Sequence, residues 1–364
     1  MSNPVDVKWF TSDMPGAPAL SGTAGTLIAV LDACLLNGFG SVTLTSLTVS
    51  GGVATAVKAG HGFLDYVVLL IDGSTPAVLN GKKRIARIDA NSFAFDATGV
   101  ADQVATGTIT AKVAPAGWTK AYSGTNKAAY ARPYPASASL LRVDDTPAQY
   151  STLIMYETMS DVDTGTGPAP ASGAYYFGKS SAVSSTARQW RLFADAQSIY
   201  LFVKNDGTNW YGALEFGDLI VYKSGDAYAS ILHASTSATY VFAYHVMSSW
   251  GLLSRSYSQL GSPVSVTAYS HSRFTQLGIN TQAYPAPADN SFHAWPIELW
   301  EGTSLARGLA PGIWNPIHTG PSAGGPTDGM IVTDIPQLNG RSVMVQALYN
   351  LSASCAIDIT GPWR

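Results

Sequence analysis

The sequence predicts a mainly β protein: a short N-terminal helix and arm, a small β module, and a larger β-sandwich-like domain. Three observations lead there. From Val42 onward apolar residues alternate with hydroxyl residues, as in SVTLTSLTVS, a period of two that sends one face of each strand into a core. Turn dipeptides such as Gly51-Gly52, Asn80-Gly81 and Asp206-Gly207 recur between these runs. A single segment carries a helical period.

The elements follow in order. Residues 1 to about 20 are rich in proline and glycine and read as an extended arm, expected to be pinned against another chain. In SGTAGTLIAVLDACLLNGFG, Leu27, Ile28, Leu31, Cys34 and Leu35 share one helical face, Ser21 or Thr23 supplies a cap, and Asn37-Gly38 a left-handed stop. Arm and helix together form a docking unit over 1–40. Residues 41–113 form the small module of six or so strands, with hairpins at Gly51-Gly52 and Asn80-Gly81 and a turn from Asp89 to Ser92. Residues 114–364 hold the larger domain. QYSTLIMYETMSDV, three strands around Ala196-Gln197 and Asp206-Gly207, SATYVFAYHVM, PVSVTAYS, HAWPIELWEG and two strands around Asn350 are its candidates.

Composition narrows the function. The 364 residues are 46% hydrophobic, so the chain folds, yet only 12% are charged, about half the roughly 25% usual in soluble domains. Few surface ions keep copies apart, which suits a permanently assembled protein. A net charge of -3 with scattered cations argues against nucleic-acid binding. The densest run, Lys82-Lys83-Arg84, reads as a solvated hairpin arm. Cys34 and Cys355 read as buried free thiols, with a bridge between the two ends as the open alternative. No apolar run reaches the roughly 18 residues of a membrane helix, so no membrane insertion is expected. The opening MSNPVDVKWFTSDMPG has no leader character, so a cytoplasmic location, or release from a cytoplasm by lysis, is expected.

The segment TVSGGVATAVKAGHGFLDYVVLLIDGSTPAVLNGKKRIARIDANSFAFDATGVADQVATGTIT resembles a β-rich module of tailed-bacteriophage virion proteins. The pattern is an AT…GHG turn, a strand ending in I-x-G, an NG hairpin, a D-x-x-x-F-x-F strand and a closing ATGTIT, all present here in order. MPGAPALSGTAGTLIAVLDACLLNGFG and GWTKAYSGTNKAAYAR are similar to flanking stretches in the same group, so the likeness covers roughly the first 130 residues. RQWRLFADAQSIYLFV followed by FGDL is similar to the same group. The resemblance implies a virion structural protein assembled in the host cytoplasm, at the tail tip, baseplate or fibre attachment region. Its partners would be other virion proteins and copies of itself. A capsid decoration or head fibre is the alternative, then a glycan-cleaving tailspike. The resemblance brings no catalytic residues.

Four constellations bear on chemistry. His61, between Gly60 and Gly62, reads as the tip of a turn, because no second histidine lies in the module. SDVDTGTG starts like a calcium loop but has Gly165 and Thr166 where the fifth ligand and the obligatory glycine belong, so a polar turn is expected. HAWPIELWEG sets Glu298 and Glu301 beside Trp295 and Trp300, the one carboxylate pair that could serve a glycosidase; on a strand they point to opposite faces. Trp210 in NDGTNWYGA and Trp314 in GIWNPIH sit in glycine- and asparagine-rich stretches and are the candidates for stacking on a host-surface glycan. His233, His245, His271, His293 and His318 form no HxH or HExxH, so no metal and no cofactor is expected, and no enzyme activity.

Overall fold

A computed structural model describes residues 5–135, 137–238, 251–258, 260–269, 282–302, 305–333, 335, 338, 340–348 and 353–364. It is mainly β. Gly51 and Gly52 both take positive φ (57° and 78°), the backbone that matches strand twist in a two-residue hairpin. Ser46–Ser50 therefore pairs antiparallel with Val53–Val57. Leu47, Val49, Ala54 and Ala56 point inward and are buried, while Thr48, Ser50, Val53 and Val57 stay exposed. Period two thus translates directly into a core face.

That hairpin belongs to an eight-stranded antiparallel sheet, ordered Phe39–Thr43, Thr110–Val113, Val68–Asp72, Gly81–Arg87, Ser92–Asp96, Val53–Val57, Ser46–Ser50 and Gln103–Val104. Asn80-Gly81 is not the tip of a hairpin. Ala77–Leu79 forms a 3-10 turn, and Asn80 accepts the Ser74 amide, so the connection runs from 73 to 80. A five-stranded sheet follows, built from Thr119–Gly124, Lys127–Ala131, Leu140–Asp144, Tyr150–Tyr156 and Tyr175–Gly178.

Among the described residues the largest sheet has thirteen strands. It runs from Lys8–Thr11 through Trp190–Ala194, Ser198–Val203 and Gly212–Asp218 to Ala294–Glu301, Leu305–Pro316, Ala353–Asp358 and Val343–Leu348. Its two ends face each other. Tyr200 donates its hydroxyl to the Pro311 carbonyl at 2.8 Å and packs on Trp363. Arg191 reaches Gln346 at 3.1 Å. Covered on both sides, all six residues of Ser198–Val203 are buried. Asn350 and nearly all of SATYVFAYHVM lie outside the described residues.

The arm corrects one expectation. Residues 5–40 pack on their own chain. Lys8–Thr11 is a strand of the large sheet, paired to Trp190–Ala194, and Val7, Trp9, Phe10, Met14 and Leu20 are core residues. The helix is Thr26–Leu31, continued by a π-helical turn over Asp32–Asn37 and stopped at Gly38, whose φ is +70°. Ser21 and Thr23 do not cap it. The carboxylate of Asp145 does, accepting the Leu27 amide at 2.8 Å. A residue 118 positions away supplies what the local sequence lacks.

Arg84 corrects a second expectation. It is buried rather than solvated. Its guanidinium donates to the carbonyls of Val7, Tyr66 and Ile359 at 2.9, 2.7 and 2.6 Å. One side chain of the module thereby ties arm, module and C-terminal strand together. Burial pushes its pKa down to about 10.

Candidate functional site

His61 proves to be a packing residue. It is 1% exposed. Its Nδ1 accepts the Phe63 amide at 2.9 Å, so Nε2 carries the proton and donates toward the carbonyls of Asp89 and Ser92 at 3.2 and 3.3 Å. Phe63 and Phe93 sit against the ring at 5.5 and 5.3 Å. Both ring nitrogens are committed to closing the turn.

Glu298 and Glu301 are each engaged by neighbouring donors. Glu298 accepts the Tyr222 hydroxyl at 2.9 Å and the Trp300 indole at 2.7 Å. Glu301 accepts the Tyr257 amide at 2.7 Å and the fully buried Arg307 at 2.8 Å. Arg307 also holds Asp226 at 2.9 Å. These carboxylates anchor a loop and balance a buried cation.

The two tryptophans are not exposed platforms. Trp210 is 3% exposed. Its indole donates to Asp328 at 2.9 Å, and its ring lies between Arg191 and Lys204 at 4.7 and 4.9 Å. Cations carried in or beside neighbouring strands cover the ring that loop composition alone would leave in water. Trp314 lies within the Leu305–Pro316 strand, half-buried against a second apolar cluster.

SDVDTGTG is a salt-bridged turn. Asp163 pairs with Arg142 at 2.6 Å and Lys127 at 2.8 Å, and both bonds hold its carboxyl below the usual range. No group of three possible metal ligands occurs among the described residues. Cys34 and Cys355 are free and buried, and burial pushes both thiols up. His293 and His318, 25 positions apart, adjoin: the His293 amide donates to His318 Nε2 at 2.9 Å. Burial lowers the His318 pKa. His245 and His271 lie outside the described residues.

Among the described residues, two concavities bear on binding. An open groove of about 290 Å³ crosses the module between Val53, Tyr66, Ile85, Ala94, Phe95 and Asp96. Tyr66 there holds a left-handed φ of 60°. A second cleft, of about 200 Å³, lies between the five-stranded and thirteen-stranded sheets, lined by Ser137, Ser139, Glu157, Thr158, Tyr228 and Ser254. Its walls are fixed from behind. Arg132, buried with Asp218 at 2.6 Å, donates to the carbonyls of Ser137 and Ser139. Glu157 is held by both nitrogens of Arg255 at 2.5 and 2.7 Å, and Arg255 stacks on Tyr228 at 4.5 Å. Sequence reasoning missed this cleft because its residues come from four separate segments with no shared motif.

No protein-family model matches the chain, and no curated protein is significantly similar to it.

Proposed function

We propose that the chain is a non-enzymatic building block of a tailed-phage virion, placed at the tail tip, baseplate or fibre attachment region. One observation carries the reading: the five pieces of the phage-like pattern are consecutive parts of one sheet. AT…GHG supplies the Val53–Val57 strand and the His61 turn, I-x-G ends Val68–Asp72, the NG pair opens Gly81–Arg87, F-x-F is the core of Ser92–Asp96, and ATGTIT leads into Thr110–Val113. An ordered motif whose pieces lie side by side in one sheet is what a reused assembly module requires.

Assembly would run through faces rather than through arms or edges. The arm is used within the chain. Four of the described outer strands are blunted: Gln103–Val104 and Ile331–Val332 have two residues each, while Phe39–Thr43 and Thr119–Gly124 carry register shifts. Short and kinked edges resist strand addition. The outward face of the module, by contrast, is rich in small and hydroxyl residues, with Val104, Thr48, Thr55 and Ala94 in one transverse row, and Val57 and Val53, the latter opposite Asp96, beside it. Such a face suits permanent contact with a neighbouring virion subunit.

Cryo-EM of the intact particle tests the reading. Density for the chain at the tail tip, with the module face covered, is the expected result. Density on the capsid would replace the tail placement with the decoration or head-fibre alternative. Absence of the chain from purified particles would overturn the virion role.

A further inference from the structure

We propose that the cleft between Glu157 and Tyr228 binds a single neutral hexose unit of a glycan. Size is the first ground. About 200 Å³ is smaller than the roughly 300–1,000 Å³ of pockets for drug-sized ligands, and it suits one pyranose ring. Lining chemistry is the second. Glu157 presents a carboxylate, Ser254 a hydroxyl oxygen and Tyr228 an aromatic body, while the hydroxyls of Ser137 and Ser139 turn back to accept from Arg132 and that of Thr158 bonds Thr166. A ring with polar edges and C–H faces is complementary to that mixture.

Hydrogen-bonding capacity is the third ground. Ser254 spends its proton on the Tyr228 carbonyl at 2.9 Å and keeps acceptor positions. Each Glu157 oxygen takes one bond from Arg255, leaving a second lone pair for a sugar hydroxyl. The charge balance then selects the ligand class. Glu157 is neutralised by Arg255, and Arg132 behind the wall is neutralised by Asp218. No net charge is left to attract a phosphate, a sialic acid or an amine. The groups are also held before any ligand arrives, so little ordering cost attends binding.

The cleft would serve a glycan whether or not the chain sits in a virion. Saturation-transfer NMR on the full chain, with methyl glycosides of glucose, galactose, mannose and N-acetylglucosamine against sialic acid and glucuronate, tests it. The expected result is millimolar binding of at least one neutral glycoside. Ala227→Trp, which fills the cleft from an exposed wall residue, should weaken that binding about tenfold or more with an unchanged thermal midpoint. Should that variant unfold, Ala138→Trp on the opposite wall is the second block. No signal from any neutral glycoside, binding that survives both blocks, or binding of acidic sugars alone would each overturn the assignment. A negative titration with the chain present in particles removes the cleft assignment alone. A positive titration with the chain absent from particles removes the virion role alone.

Discussion

Removing the ammonium of Lys179 should destabilise the whole fold, and the loss should be largely recovered by also removing its partner's charge. Lys179 and Asp145 both have side chains 0% exposed and form a direct ion pair. Asp145 also accepts the Ser151 hydroxyl at 2.6 Å and the Leu27 amide at 2.8 Å, and Lys179 donates to the Thr23 carbonyl at 2.8 Å. Burial is the largest influence on both groups, pushing the carboxyl up and the ammonium down. Breaking such a pair from one side leaves a buried charge uncompensated, at a cost of about 3–5 kcal/mol, whereas replacing both members is often near neutral. With about 2.1 cal/mol/K of unfolding entropy per residue over 364 residues, the entropy is roughly 0.8 kcal/mol/K. Lys179→Met should therefore lower the thermal midpoint by about 4–6 °C. Lys179→Met with Asp145→Asn should regain most of that, since the amide oxygen of Asn can still accept the Leu27 amide. Calorimetry of the four proteins measures the cycle. A single variant within about 1 °C of the parent, or a double variant worse than the two singles added, would refute the reasoning.

Further outcomes follow from other buried groups. Glu215 is buried in the Gly212–Asp218 strand, one of its oxygens has no hydrogen-bond partner, and desolvation raises its pKa from 4.5 to about 8. A carboxyl with a raised folded pKa contributes fully below about pH 4.5, and stability is lost as pH rises through about 8. Glu215→Gln should remove that slope, so the difference between variant and parent in urea unfolding should grow from pH 5 to pH 9, on the order of 4–5 kcal/mol at most. Arg84→Met should remove the donor from four carbonyls, those of Val7, Tyr66, Ile359 and Thr360, and loosen the module from the arm, read as faster proteolysis near residues 5–20 and a loss of about 2–4 kcal/mol. His61→Ala should destabilise the module by about 2–3 kcal/mol through lost packing and an unsatisfied Phe63 amide, with glycoside titration unchanged. Trp210→Phe should cost about 1–2 kcal/mol through the lost bond to Asp328 and likewise leave glycoside titration unchanged.

Local pattern carried most of the fold. Alternation read the Ser46–Ser50 and Val53–Val57 strands from sequence, because side-chain period is a property of neighbours in the chain, and the turns at Ala196-Gln197 and Asp206-Gly207 marked off the three apolar strands from Trp190 to Asp218. Gly51-Gly52 read its turn for the same reason, while Asn80-Gly81 failed locally, at the 73–80 connection. Three other misreadings share one cause, partners distant in sequence. Asp145 caps a helix 118 positions earlier, Arg84 crosses 275 positions to Ile359, and Asp328 reaches back 118 positions to Trp210. Each turns a residue that local composition assigns to water, or to a local cap, into part of the interior. The candidate cleft is the extreme case: Ser137, Glu157, Tyr228 and Ser254 become neighbours only when the two larger sheets meet.

The scarcity of charge has a consequence for how the molecule meets its surroundings. Several of its few ions are spent inside, in Arg132–Asp218, Lys179–Asp145 and Arg307–Asp226, each with both side chains at most 2% exposed. Buried pairs add little net stability compared with apolar packing, but they reject alternative arrangements, because any shift strands a charge. The surface is left to hydroxyls and small aliphatic groups, as on the Thr48, Thr55 and Val53 face. A surface of that kind gains little from long-range steering and much from close fit. In the proposed virion role, association with a neighbouring subunit should therefore depend weakly on salt. Dissociating particles between low and high salt at fixed pH measures it: release of the chain by salt alone would mean that the contacts are ionic and that the hydroxyl-rich module face is not the one in use.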